Sequence, residues 1–406
     1  MRCWKKVTIG VLLATIAILL ARENGWSLPS RPEGEVHHNV HNQVEIISKP
    51  FTVDRIYMSM TGPAGERPVD CLLPNEKPQL VWLTGLRTEM LDADSRQALS
   101  PEFCCHANLT FDAGRISPQQ HNAEFGGSTH MGSRFFSLVP GRLQVSLPPG
   151  YGIPVLSDTP LDFFTMALNL NITDRTFKVR FKGTIDFVRD ADTTGPMKPL
   201  FHRVLYVVQP LAGSGMEHMK MCASMSHPGE GCADAMATNV AAGVISTKDG
   251  VLARFGSDVT YHWMVPPGRH TYTARIVEKE LNLSAPTTIH YATAHLHPYG
   301  ESVELYDLTA QQSVLKIQGE DYPDKVGVAR MGEFQSERGL LITPEHQYEI
   351  RAAYNNTTPA ATDGMAILYI YLLEKDFHRP TANTLQVRHI SPFERLEHFV
   401  RTSFAG

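Results

Sequence analysis

The chain has 406 residues, 42% hydrophobic and 19% charged, with a formal net charge of -5. That is a globular composition, long enough for two domains. Without a basic block or an acidic tail, the sequence gives no reason to expect a nucleic-acid partner.

The first residues, MRCWKK, form a basic leader, and Val7 to Ala21 is an apolar run. Such a run is short for a membrane span and typical of a secretory signal. Residues 1–27 therefore read as a signal peptide or N-terminal anchor. Removal near Ser27 to Ser30 leaves a secreted or periplasmic body, and no stable membrane insertion is expected unless the leader is uncleaved. Residues 28–48 are polar and rich in Pro, Gly and His, including His37, His38 and His41, and read as a linker.

From residue 49 to 211 the texture is that of short strands. FTVDRIYMSMTGP, PQLVWLTGL, DFFTMALNLNI and TFKVRFKGTIDFV are β-branched and aromatic runs divided by Pro and Gly. No amphipathic helix of three turns is visible. Residues 212–257 differ, with Met216, Met219, Met221, Met225 and Met236 beside His218 and His227. Thioether and imidazole suit Cu(I), although the same methionines would also serve a loop packed on another surface. Strand texture returns over 258–376, in HTYTARIVEKEL, TTIHYATAHLH, QYEIRAAYN and MAILYIYLLEK, before a polar tail, 377–406. The expected fold is all-β, two antiparallel β-sandwich domains in tandem, jelly-roll-like.

Loss of Cys3 with the leader would leave Cys71, Cys104, Cys105, Cys222 and Cys232. In an oxidising compartment two disulfides and one thiol are expected. Neighbours such as Cys104 and Cys105 rarely pair with each other, so Cys222 with Cys232 is the expected local pair, and Cys71 with Cys104 or Cys105 is the second expectation. Asn108, Asn171, Asn282, Asn355 and Asn356 head Asn-x-Ser/Thr sequons, glycosylation candidates only in a eukaryote.

The chemistry concentrates in TAHLHPYG, residues 293–300. In a strand, His295 and His297 leave from the same face. They are either two half-buried histidines or half of a metal site that needs a third ligand. Met365, opening the apolar run of DGMAILYIY, is the candidate. It is also an ordinary core residue by type, and shares a strand face with Ile367, Tyr369 and Tyr371. Two imidazoles and a thioether would hold copper in both oxidation states and leave a position open.

These segments resemble the copper type II, ascorbate-dependent monooxygenases, the family of peptidylglycine α-hydroxylating and dopamine β-monooxygenases. AHLHPYG and DGMAILYIY match its oxygen-site segments, VVQPLAG and VPPG its domain junction, and YMSMTGP and RLQVSLPPGYGIPV parts of its first domain. The likeness covers about residues 50–375. It implies two β-sandwich domains with coppers facing a solvent-filled cleft, and hydroxylation of a C–H bond with dioxygen and an external reductant such as ascorbate. It implies His295, His297 and Met365 as copper ligands and Tyr369 as a residue touching substrate.

The match breaks in the first domain, where the family holds a second copper with three histidines. Here FCCHANLTF offers His106 and, in place of the second histidine, Cys105, while FFTMALNLNIT offers only Asn169 and Asn171. Cys105 and His106 are a possible second metal pair, with a structural disulfide as the competing use, so one copper per chain is favoured. His121 and His130 lack family counterparts and read as surface residues. Thr293 stands where the family has a carboxylate-binding arginine, and Ile367 replaces an asparagine. A small-molecule or peptide substrate is implied, though not a peptidylglycine. The readings are an exported copper monooxygenase, a non-catalytic copper-binding or storage protein that also uses the Met-rich segment, and a metal-free sandwich relic.

Overall fold

The computed structural model describes residues 34–39, 42–57, 61–112, 115–116, 118–125, 134–210, 212–215, 259–276 and 278–381. All belong to one compact unit. The leader, His41, the Met-rich segment from Met216 to Met236, Cys222, Cys232, His130 and most of the tail lie outside the described residues.

The chain is all-β. An 11-stranded sheet runs through both halves. Its path crosses Gly34–Asn39, Gln43–Ser48, Phe177–Arg189, Leu80–Asp92, Tyr151–Leu156, Lys198–Tyr206, Ala366–Leu373, Thr287–Leu296 and Glu333–Ile342. The halves join where Lys198–Tyr206 pairs antiparallel with Ala366–Leu373 over seven registered pairs, from Leu200↔Leu373 to Tyr206↔Ile367.

Each half adds a second sheet. In the first, Ala64–Val69, Leu161–Ala167, Cys104–Phe111 and Arg134–Leu138 form four strands. In the second, Gly268–Arg275, Tyr348–Asn356, Gly300–Asp307, Gln312–Asp321 and Val328–Met331 form five. Period-2 patterning makes these layers: the Tyr348–Asn356 strand alternates buried and half-buried residues along its whole length. Val81, Leu83, Phe181 and Ile185 of the long sheet pack with Leu109, Phe111, Phe136 and Phe163 in one core. Ile289, Ala292, Leu368 and Ile370 pack with Val303, Leu305, Ile317 and Ile350 in the other. The result is two sandwiches in tandem. The described helices are short, Pro118–Glu124 and Glu278–Leu281.

Three expectations are corrected. Within the supposed linker, Gly34–Asn39 and Gln43–Ser48 are strands paired with each other, and the second also pairs with Phe177–Arg189. The alternation of Val44, Ile46 and Ser48 toward the core outweighs the Pro/Gly/His composition upstream. Cys71 is not joined to Cys104 or Cys105. Burial instead pushes the Cys104 thiol well up, Cys105 adding to the effect. His121 is fully buried rather than on the surface, its ring 4.5 Å from that of Phe111 and 4.9 Å from that of Phe125. No helix among the described residues is long and apolar enough to cross a membrane.

Candidate metal centre

His295 lies near the end of the Thr287–Leu296 strand and His297 just beyond it. The strand stops at a tight turn. Gly300 donates its N–H to the His297 carbonyl at 3.1 Å, and Tyr299, at φ 71°, donates its N–H to Asp321 Oδ2 at 2.7 Å. A side chain at position 300 would sit 2.8 Å from Leu296 Cβ, so glycine is required by close approach. This turn fixes where the two imidazoles end up.

Met365 is the cross-strand neighbour of His297. His295 registers with Ile367 and Leu296 with Ala366, and the His297 N–H reaches the Met365 carbonyl at 3.3 Å. The Met365 side chain is buried in the core of the second half and is not among the residues lining the cavity that His295 and His297 share. The backbone of Met365 is held on both sides by Tyr354, whose hydroxyl accepts from the Met365 N–H at 3.1 Å and donates to its carbonyl. Tyr354→Phe is expected to lower unfolding free energy by about 1–3 kcal/mol, because a buried N–H loses its acceptor. Urea denaturation of the variant against the parent protein checks this, and an unchanged midpoint would contradict it.

The structure gathers more imidazoles than the sequence suggested. The His106 ring centroid is 4.8 Å from that of His295, His295 is 5.1 Å from His297, and His297 is 5.4 Å from His262. His295 is 1% exposed, and both its ring nitrogens are buried without a hydrogen-bond partner. Leaving a buried polar group unmatched costs about 1–3 kcal/mol, and a metal ion is the partner that an imidazole nitrogen in a ring of imidazoles can take. Burial first, then the neighbouring His106, His297 and His262, push His295 well below the usual histidine range. Burial, with Arg134 adding, takes His106 down to about 3. Both rings are therefore neutral at pH 7, the protonation state a metal ligand needs.

Asp363 organises the other end of the cluster. Its Oδ2 lies 3.3 Å from His297 Nδ1 and its Oδ1 3.4 Å from His262 Nδ1. Burial works to raise its carboxyl, but His297 and His262 together hold it well below the usual carboxylate range. His262, His297 and Asp363 offer ligand atoms all within 4.8 Å of one another. Two roles are open to the carboxylate: direct ligand, or a partner that fixes the Nδ1 protons and turns each Nε2 toward an ion. Sequence reasoning missed His262 and gave Asp363 no role. The only signal for His262 was its place two residues before Met264 in a short strand-like run, which also fits a core histidine.

The first-half pair, Cys105 and His106, lies against the second-half histidines, the His106 ring 4.8 Å from that of His295. Register slips between Met166 and Ala167, which pair with His106 and Cys104 and leave Cys105 as the extra residue of a bulge. Cys104 joins the sandwich core, whereas Cys105 packs with Phe164 and Met166 on the outer face of that sheet. Cys105 then lines the same cavity as His295, His297 and Asp363. Asn169 and Asn171 are structural: the Asn169 amide donates to the carbonyls of Arg55 and Ile172, and Asn171 exchanges two hydrogen bonds with the backbone of Val326. Tyr369 is not among the residues lining that cavity. It registers with Thr293, and its ring lies 5.7 Å from His202 at an interplanar angle of 16°.

No family model matches the chain, and no curated protein does. Among solved structures it is similar to the glycosylasparaginase PNGase F of Flavobacterium meningosepticum, at 9% identity over 82% of this chain and 96% of that one, with a TM-score of 0.31. It is also similar to the PBSX exported protein XepA, at 9% identity over 82% and 88%, TM-score 0.19. A third is a Sulfolobus turreted icosahedral virus protein, at 9% over 81% and 92%, TM-score 0.27. Likeness of this size brings no function with it.

Proposed function

We propose that this chain is an extracytoplasmic, copper-dependent monooxygenase that hydroxylates a C–H bond of a small substrate at a single metal centre. The observation that carries the reading is His295: a buried, neutral imidazole with both nitrogens unmatched, packed among His106 and His297. The donor set fits copper. Imidazoles from His295 and His297 suit both oxidation states, and the thioether of Met365, whose carbonyl accepts the His297 N–H, is the soft third donor of this reading and would favour the reduced one. Asp363 holds the Nδ1 side of His297 and His262, leaving the Nε2 side for the ion. Copper would supply one-electron chemistry with dioxygen. Overall, substrate, dioxygen, two electrons and two protons give the alcohol and water, with ascorbate or a similar external reductant supplying the electrons. Since His106 packs on His295 rather than forming its own centre, one copper per chain is the stoichiometry.

The test is dioxygen uptake by purified, copper-loaded protein with ascorbate, coupled to product formation on uncharged candidate substrates. Uptake matched one-for-one by hydroxylated product supports the reading. A second reading, copper capture without turnover, is favoured by the depth of the donors, with His295 at 1% and Met365 at 2% exposure. Tight copper with dioxygen uptake no faster than free copper ion would establish that reading instead.

A further inference from the structure

We infer that the cavity beside the imidazoles is a binding site for one uncharged, largely apolar small molecule. This rests on the proposed function for its meaning as a substrate site, but not for its existence.

The cavity has a volume of about 350 Å³, within the range that holds small ligands. His295, His297 and Asp363 contribute to its wall, and Leu168, Leu170, Met264 and Val328 give it an apolar lining. Among the described residues, no lysine or arginine lines it. The carboxylate among the described lining residues, Asp363, already faces two imidazoles. An anion would lose its hydration there and face the Asp363 carboxylate, and a cation would find that carboxylate already engaged by His297 and His262, so either charge is costly.

The neighbouring cations are turned to other partners. Arg55 lies 4.0 Å from Asp54 and 5.7 Å from the Tyr57 ring centroid, and Lys325 lies 2.9 Å from Glu102 and 4.4 Å from the Tyr322 ring centroid. The apolar surface meanwhile continues to solvent. Ile56 and Val326, 39% and 38% exposed, line the cavity, and Leu341 is the remaining large hydrophobic exposed among the described residues. Exposed apolar groups gathered at one cavity, rather than scattered, mark a ligand entrance.

The entrance is also held in shape. Asn171 clamps the Val326 backbone from both sides at 2.9 and 3.1 Å. Asn169 holds the Arg55 carbonyl at 2.8 Å, and the Asn169 carbonyl accepts the Tyr57 N–H at 3.0 Å. A preformed apolar site binds without a large ordering cost. The two asparagines thus shape the mouth of the cavity.

The probes are octan-1-ol, octanoate and octylamine, one chain length in three charge states, titrated calorimetrically at neutral pH into the metal-free protein. The expected result is saturable binding of octan-1-ol, at least tenfold tighter than either ion. Val326→Glu and Leu168→Glu should each weaken octan-1-ol at least tenfold with an unchanged thermal midpoint, and Leu341→Glu should leave binding unaltered. Absence of saturable octan-1-ol binding, equal affinity for an ion, or equal losses from Leu341→Glu and Val326→Glu would overturn the inference. Octan-1-ol binding in a protein that takes up no copper would sink the proposed function and leave the cavity site standing. Tight copper without octan-1-ol binding would do the reverse.

Discussion

His297→Ala is expected to weaken copper binding by at least about 100-fold, the upper end of what loss of a mere supporting partner costs a metal site. His297 occupies the position that every part of the site shares. Its ring lies between His295 and His262, its Nδ1 faces Asp363, and its backbone N–H meets the carbonyl of Met365. Removing the imidazole takes away a donor and one of the two rings that face a buried carboxylate. His297→Gln keeps a polar group near Asp363 and separates the two effects. Asp363→Asn should cost about 10- to 100-fold, as expected for a residue that orients ligands. Competition against a Cu(I) chelator measures all three, with circular dichroism confirming the fold. His346, which pairs with Asp307 on the far sheet, is the control position. Equal affinities in the parent protein and His297→Ala would refute the assignment.

Acid should destabilise the metal-free protein most steeply below about pH 4, where its buried histidines still lose stability and its raised carboxyls no longer return any. His106, His202 and His295 are buried neutral, with folded pKa values far beneath the ordinary 6.5, His106 at about 3. A histidine lowered in this way contributes stability above its unfolded pKa and loses it as pH falls toward the folded one, because the unfolded chain takes up the proton first. Each of the three therefore forfeits stability as pH falls below about 6.5. Two carboxyls act in the opposite direction. Burial, reinforced by Asp112 and Glu66, raises Asp162 to about 7, and burial raises Asp321 to about 6. A raised carboxyl penalises the fold at neutral pH, and the penalty lifts as the native state protonates. Between pH 7 and 4 this returns about 5–7 kcal/mol, less for Asp321, which solvent screens more.

Below about pH 4 the carboxyl contribution saturates while the histidine loss continues, so the decline steepens there. Asp162→Asn should raise stability at pH 8 and move the onset of acid loss upward. Urea titrations at a series of pH values check both. A protein equally stable at pH 7 and pH 3.5 would contradict the placement of the three imidazoles.

The all-β class and tandem sandwiches were legible because they depend on local patterning. Alternating runs such as QYEIRAAYN need only one buried face to become strands, and Pro and Gly mark the turns. The pairing of His295 with His297 was legible for the same reason. What escaped was set by contacts between distant residues. His262 and Asp363 meet only because Trp263–Val265 pairs with Thr362–Gly364, and nothing local to either segment announces that pairing. His106 reaches His295 through the packing of one half on the other. The bulge that turns Cys105 to the face of His106 is a one-residue slip invisible in a strand-like run. His121 was misplaced because a short polar helix hides the fact that Phe111, Phe125 and Phe135 close over one of its residues.

X-ray absorption of copper-loaded protein, in both oxidation states and with Met365→Ala alongside, tests the central claim most directly. One copper per chain is predicted, bound by imidazole in both states, with a sulfur scatterer in the reduced state that Met365→Ala removes. Two coppers, an ion without imidazole, or a sulfur signal that survives Met365→Ala would contradict it.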